Sequence, residues 1–494
     1  MSVLFKVLRS TRTGRSTSAI RLSSQQFRSS VSTSTASYKN GSVYRTGAYM
    51  LGLAVVGAGC AATTIDWSKR PSLSSTQPLT STPTIQHNIT AANIRAATKE
   101  FAALLGAENV STDQADLITH SGSDYQSYAW TKEHAICSNV ILYPETTEQV
   151  SELMKICSRR RLPVTPYSGG TSIEGQYIPH FRGICIDFGR MSSIVELNKD
   201  DLDCVVQPGI GWMDLNEELA THGLFFPPDP GPGLITEATL KLAVKPPCEA
   251  VAVCTFPSLR DAAFAVRDVL SAGIQVAAVE ILDDVQMKSI NESALTSIKW
   301  KEEPTLFFKF TGSDDFIVEH VAKKVGVITK QNRSTAYTFA SDETERNELW
   351  SARKNALWSM LAMRKSPTDK VWTTDVAVPM SRLPDIIDFA KDDIEKSGLV
   401  GSIVGHVGDG NFHTLLLFPE DKRQVAEDIV HRMVGKAIEM KGTATGEHGV
   451  GLVKRDYLEK ELGKDTVDMM RSMKNAFDPM CILNCDKVIR MQAA

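Results

Sequence analysis

The stretch GSIVGHVGDGNFHTLLLF, residues 401–418, sets two histidines on either side of a glycine-rich turn. Apolar runs flanking Gly408-Asp409-Gly410 predict a hairpin, and in that hairpin His406 is expected opposite His413. Two imidazoles converging at a hairpin mouth suit a divalent cation, Zn²⁺ or Mn²⁺, once a carboxylate joins them. Two unrelated, half-buried histidines are the plain alternative. The stretch ATGEHGVGLVKR supplies the missing acid in Glu447, with His448 beside it. Gly446 and Gly449 give the backbone freedom to bring both side chains to a ligand. An imidazole kept neutral near a cation can take a proton, which makes His448 a candidate general base.

Two further places could bind. Ser168-Gly169-Gly170-Thr171-Ser172 offers consecutive backbone N–H groups and two hydroxyls that could cradle a pyrophosphate, and it reads equally as an ordinary turn. Arg353, within LWSARKNALW, could clamp a carboxylate with both arms of its guanidinium. A solvated arginine on a helix face is the commoner fate of such a residue.

These residues need elements to hold them. A strand over 139–143, a helix capped by Thr146 and Gln149, and a strand over 163–167 lead into the Ser168 loop. The helix carries Val150, Leu153, Met154 and Cys157 on one face, and Arg159–Arg161 complement its dipole at the end. Three short strands and a helix over 212–221 follow. From Val251 onward, longer helices (260–272, 315–330, 344–363) alternate with strands (305–310, 376–378, 402–406, 412–418), an α+β pattern.

At 494 residues the chain is too long for one core, so two or three domains are expected. A net charge of −4 gives no basic stripe for nucleic acid. Nine cysteines without CxxC spacing predict reduced, buried thiols rather than a disulfide framework or zinc ribbon. The first 65 residues carry eight Lys/Arg and no acid, with Ser and Thr between them. That profile is a mitochondrial transit peptide over 1–45, with a disordered basic tail as the alternative. Residues 46–66 are uncharged up to Ile65 and predict a membrane span or sorting signal. Residues 67–90, rich in Ser, Thr and Pro, predict an extended linker.

Together, PYSGGTSIEG, PGIGWMDLNEEL, FFPPDPGPG, ITEATLKL, WSARKNALW, TTDVAVP, HVGDGNFH, GEHGVGLVKR and DPMCILNCDKV resemble the flavin-dependent D-2-hydroxyacid dehydrogenases with a vanillyl-alcohol-oxidase type of FAD domain. The resemblance covers about 139–487. It implies an α+β chain, with a two-part FAD-binding domain over 91–245 and a ferredoxin-like α+β cap carrying substrate and metal over 246–494. It implies FAD pyrophosphate on Pro166, Tyr167, Ser168, Gly169, Gly170, Thr171, Ser172 and Gly175, with Asn484 near the flavin. It also implies metal on His406, His413 and Glu447, His448 as base, Arg353 as carboxylate clamp and Asn411 near the substrate. The implied reaction oxidises a D-2-hydroxy acid and passes electrons to cytochrome c, at the inner mitochondrial membrane. Leu357, near the clamp, offers no polar group for a second carboxylate, and with Thr373 it favours a small acid such as D-lactate over D-2-hydroxyglutarate, with glycolate a further alternative.

One departure stands out. In the family, DPGPG leads into a long second part of the FAD domain, whereas here Gly233 abuts Leu234. Roughly sixty to seventy residues are expected to be missing at 233/234, on the scale of ordinary domain sizes. Such a truncated FAD domain is expected to bind FAD weakly or not at all, which leaves a non-catalytic product as a competing reading. Cys485, where the family has proline, is expected to matter little.

Overall fold

The computed structural model describes residues 76–492 apart from 128–129, 132–133 and 228–233. The expected transit peptide, the 46–66 segment and the junction at Gly233 lie outside the described residues. The chain divides into Met1–Leu73 and Ser74–Ala494, and everything below belongs to the second unit.

The described part of the 67–90 linker has little regular structure, as expected, but it is fastened to the body. Gln77 N–H donates to Asp468 O (3.0 Å) and Asn88 N–H to Arg161 O (2.9 Å).

Strands β1 (Val110–Ser111), β2 (Val140–Leu142), β3 (Val164–Tyr167) and β4 (Ile184–Asp187) form a sheet in the order β1-β2-β4-β3. Strands β2 and β3 both run parallel to β4, joined by the helix Thr147–Arg160. The Thr146 hydroxyl caps that helix on Gln149 N–H, while the Gln149 amide reaches back one residue further than a capping box requires, to Glu145 N–H. Its apolar face (Val150, Leu153, Ile156, Cys157) closes a core against Val140, Leu142, Val164 and Ile184. The chain's end completes this sheet. Leu483 bridges Val164 in parallel, and Asn484 N–H donates to Val164 O (3.0 Å).

A thinner layer follows. Strands β5 (Ile194–Asn198), β6 (Asp203–Val206) and β8 (Ala238–Lys241) form a three-stranded antiparallel sheet, and β7 (Leu224–Phe225) pairs with β9 (Ala243–Val244). Its buried apolar core is Cys204, Val206, Leu215, Leu219, Leu224 and Leu242. Among the described residues, β5 and β8 have no partner on their outer edges, and Val195, Trp212, Met213 and Val244 are each more than half exposed.

The remaining strands are β10 (Cys248–Thr255), β11 (Ala278–Leu282), β12 (Thr305–Gly312), β13 (Ala336–Ala340), β14 (Lys370–Thr373), β15 (Val376–Ala377), β16 (Val400–Gly405) and β17 (Asn411–Phe418). They form one antiparallel sheet, β13-β10-β12-β11-β16-β17-β14, with β15 also on β17. The two-residue strand period sends alternate side chains to two cores. Ala250, Ala252 and Cys254 of β10 meet the helices Leu259–Ser271, Asp315–Gln331, Leu383–Ser397 and Arg423–Glu439. Val251 and Val253 meet Asp284–Ser293, Glu343–Lys354 and Ala356–Ala362. The single helix expected over 344–363 breaks at Asn355, whose amide donates to Ser351 O (3.0 Å).

The hairpin differs from expectation in register. His413 pairs with Val404, and His406 lies past the end of β16. A 3₁₀ turn over Val407–Asp409, closed by left-handed Gly410, makes the connection longer than a tight hairpin turn.

Candidate metal and acid–base centre

The longer turn does not separate the histidines. Their rings lie 5.7 Å apart, edge to face. His406 Nδ1 donates to Glu280 Oε1 (2.7 Å), and His413 Nδ1 donates to Thr374 O (2.8 Å). A carboxylate and a carbonyl can only accept, so each ring carries a proton on Nδ1 and turns its Nε2 toward the centre of the cluster. Both Nε2 atoms face one oxygen of Glu447, at 3.2 Å from His406 and 2.9 Å from His413. The three ligand atoms lie within 4.8 Å of one another.

His413 is buried, His406 half-buried and Glu447 exposed, so the cluster is anchored on one side and open on the other. That is the layout of a site that keeps a coordination position for substrate. Hydrogen bonds to Glu280 and then to Glu447 push His406 up to about 10. The His406 and His413 contacts hold the Glu447 carboxyl well below the usual carboxylate range. Donor types, fixed tautomers and negative potential all fit a divalent cation.

A second group, Asp375, His413 and His448, is equally close. Asp375 is fully committed elsewhere. It accepts from the backbone N–H groups of Gly446, Glu447 and His448, from the Asn411 amide and from Lys454 Nζ. Burial raises its pKa, but Lys454 and the nearby imidazoles outweigh that and hold the carboxyl below its ordinary range. Its role is to shape the Gly446–His448 loop. Gly446 must be glycine there, because a Cβ would sit 1.8 Å from Asn411 Nδ2.

His448 stacks on His413, with ring centroids 4.9 Å apart and planes 5° off parallel. Its Nδ1 meets Glu174 Oε1 at 3.2 Å, which leaves Nε2 as the basic nitrogen. Gln176 Nε2 donates to the His448 carbonyl (2.6 Å), and Lys454 also pairs with Glu174 (3.2 Å). Glu174 belongs to the segment that continues the Ser168 loop, so the loop and the base are mechanically joined.

Arg353 Nε donates to Glu280 Oε2 (3.0 Å), and one of its terminal nitrogens lies 3.4 Å from His406 Nε2. The guanidinium is therefore pinned beside the cluster rather than solvated on a helix face. The Asn411 amide nitrogen is spent on Asp375 Oδ1 and Val376 O, which leaves a buried Oδ1 without a partner. Asn411 can therefore accept a hydrogen bond but has none to give.

Pro166 and Tyr167 end β3, and Ser168, Gly169, Thr171 and Ser172 are exposed. Gly170 is left-handed (φ +64°), and a Cβ there would lie 2.3 Å from the Tyr167 hydroxyl oxygen. Ser168 Oγ donates to Pro208 O (2.7 Å). The loop is thus open and glycine-dependent, and its residue types suit a phosphate. Gly175 (φ +79°) packs on Leu452, and Asn484 accepts from Lys487 Nζ (3.0 Å).

Glu280, Asp375, Glu174 and Lys454 carry this arrangement and had no role in the sequence reading. Glu280 left one signal, an acid inside the apolar run AVEIL.

Comparison with known proteins places the fold and the family. Residues 138–240 match the family described as "FAD binding domain", and 245–488 match "FAD linked oxidases, C-terminal domain". The 4-ethylphenol oxidase of Gulosibacter chungangensis superposes with a TM-score of 0.66 at 14% identity, over 83% of this chain and 99% of that one. The D-lactate dehydrogenase [cytochrome] of Kluyveromyces lactis, named mitochondrial, is 40% identical over 78% of this chain and 79% of its own. That of Saccharomyces cerevisiae is 38% identical over 78% and 77%. The Kluyveromyces alignment spans 459 positions yet takes in 78% of these 494 residues, about 385, leaving roughly 70 positions of the relative without a counterpart. At 40% identity over most of both lengths, this chain belongs to the FAD-dependent oxidoreductase family of the mitochondrial, cytochrome-type D-lactate dehydrogenases.

Proposed function

We propose that the site is built to oxidise D-lactate to pyruvate, with Zn²⁺ or Mn²⁺ on His406, His413 and Glu447. The observation carrying this reading is the pair of Nε2 atoms facing one Glu447 oxygen while both Nδ1 atoms are tied back. A cation there supplies polarisation of the substrate hydroxyl, and FAD, when bound on the Ser168 loop, supplies a hydride acceptor. The chain's own residues do the rest. Arg353 binds the carboxylate beside the cluster and orients the acid. His448 Nε2 takes the hydroxyl proton, and Glu174 holds the ring and steadies the charge it gains. Asn411 Oδ1 offers an acceptor. A cytochrome as electron acceptor is supported by the relatives, which are cytochrome-type D-lactate dehydrogenases, and cytochrome c is the acceptor proposed. Inner-membrane association rests on the uncharged 46–65 run, and no helix among the described residues is long and apolar enough to cross a membrane.

Metal analysis tests the centre without needing turnover. One equivalent of bound divalent cation is expected, falling to background when His406, His413 and Glu447 are replaced together by alanine. Undiminished metal in that variant would sink the assignment.

A second reading is favoured by the roughly 70 unmatched positions and the two open edges of the β5–β6–β8 sheet. The Ser168 loop suits a phosphate, but one glycine-rich loop cannot enclose a whole dinucleotide. In this reading the chain keeps its metal centre and holds FAD weakly or not at all.

A further inference from the structure

The last buried cluster, Leu458, Val467, Cys481, Cys485, Ile489 and Met491, plays no part in the chemistry above. Within it the Cys481 and Cys485 sulfurs are 3.2 Å apart, and both residues are free thiols, 3% and 4% exposed. A disulfide needs about 2.05 Å between its sulfurs, so a closure of about 1 Å separates this contact from a bond. The turn holding them is unusually fixed. Cys481 and Asn484 both have left-handed backbones (φ 49° and 47°). The Asp478 carboxylate accepts from Ile482 and Leu483 N–H, and Lys474 Nζ joins Asp478 to Leu483 O. A rigid turn that already faces two sulfurs at each other loses little freedom on joining them.

The two thiols also differ. The Cys485 thiol, and secondarily the Lys474 ammonium, lower the pKa of Cys481, while Cys485 itself is pushed up. Burial instead pushes Cys157 up to about 12 with no such partner. Two facing thiols, one more readily ionised than the other, can serve as an attacking and a resolving cysteine.

We propose that Cys481 and Cys485 form a dithiol–disulfide modification site whose oxidant is a peroxide. The Cys481 sulfur attacks a peroxide oxygen, the O–O bond breaks and water leaves, giving a sulfenic acid. The Cys485 sulfur then attacks Cys481, the S–O bond breaks as the S–S bond forms, and the hydroxyl departs as a second water with the Cys485 proton. Hydrogen peroxide gains two electrons and the two thiols lose them. The bond would lock the turn that carries Asn484 and hydrogen-bonds β3, the strand leading into the Ser168 loop.

The test uses the full chain, treated with hydrogen peroxide, denatured in iodoacetamide and digested with trypsin. Peptide Asn475–Lys487 is expected to escape alkylation and weigh two hydrogens less, while Cys157, Cys185 and Cys254 are alkylated normally; dithiothreitol should restore both sites. In Cys485→Ser, Cys481 is expected to stop as a sulfenic acid that dimedone traps. Full alkylation of both cysteines after peroxide, or over-oxidation of Cys481 in the unaltered chain without a crosslink, would overturn the proposal.

Discussion

One carboxylate does two tasks at the heart of the site. Glu280, 6% exposed, fixes the tautomer of His406 and anchors Arg353, so ligand and clamp share a support. Replacing Glu280 with glutamine keeps the shape but removes the charge that both partners need. Metal affinity should fall about 10- to 100-fold, as when other buried supports of ligating histidines are lost. The KM for D-lactate should rise with it in any flavin-loaded form. Competition with a chelator reads the first effect, and unchanged affinity would remove Glu280 from its supporting role. At this scale the sequence was legible where chemistry clusters locally. His406, His413, Glu447 and His448 announced themselves through short glycine-bounded motifs. Glu280, Asp375 and Glu174 did not, because each reaches its partner across 70 or more positions and nothing in local spacing reports such a contact.

Elements were legible in kind and less so in detail. The β2–helix–β3 unit forms as expected. The hairpin register and the break at Asn355 were missed, since a 3₁₀ turn and an asparagine cap leave the apolar pattern intact. The Gly446–His448 loop yields a prediction of its own. Gly446→Ala drives a methyl into Asn411 and Asp375, so it should cost about 1–3 kcal/mol in stability and lower metal content, measured by thermal unfolding and metal analysis. A second prediction concerns β4, whose final residue Asp187 pairs with buried His120 (2.7 Å). Burial alone would lower the His120 pKa, but the Asp187 contact and the hydrogen bond to Asp116 O together outweigh it and the net shift is upward. Because the folded value is raised, the stabilisation is complete below about pH 6.5 and fades as pH climbs through the raised value. The Tm advantage of the native chain over His120→Asn should therefore shrink from mildly acidic toward alkaline pH. An advantage that grows with pH would show the pair titrating the other way.

At the scale of the molecule, an eight-stranded C-terminal sheet stands in one chain with a thinner three-stranded layer. The sheet that carries the metal cluster is packed on both faces by helices, whereas the β5–β6–β8 layer rests on a handful of buried side chains. The purified chain should show far less than one equivalent of visible flavin absorbance, while a chimera carrying the unmatched stretch of the Kluyveromyces relative should regain it. A stoichiometric yellow protein from the unaltered chain would refute the second reading. The expected junction rests on DPGPG meeting ITEATLKL, both against the family's pattern and on the absence of any glycine cluster between Leu234 and Val400.

The strand bridge from Val164 to Leu483 has a consequence for how the molecule is made. A ribosome delivers β3 more than 300 residues before its partner, so the earliest sheet cannot be finished until Leu483 has been made. A premature stop near position 480 would therefore leave the oldest part of the chain unclosed, and its damage would surface at the opposite end of the sequence from the lesion.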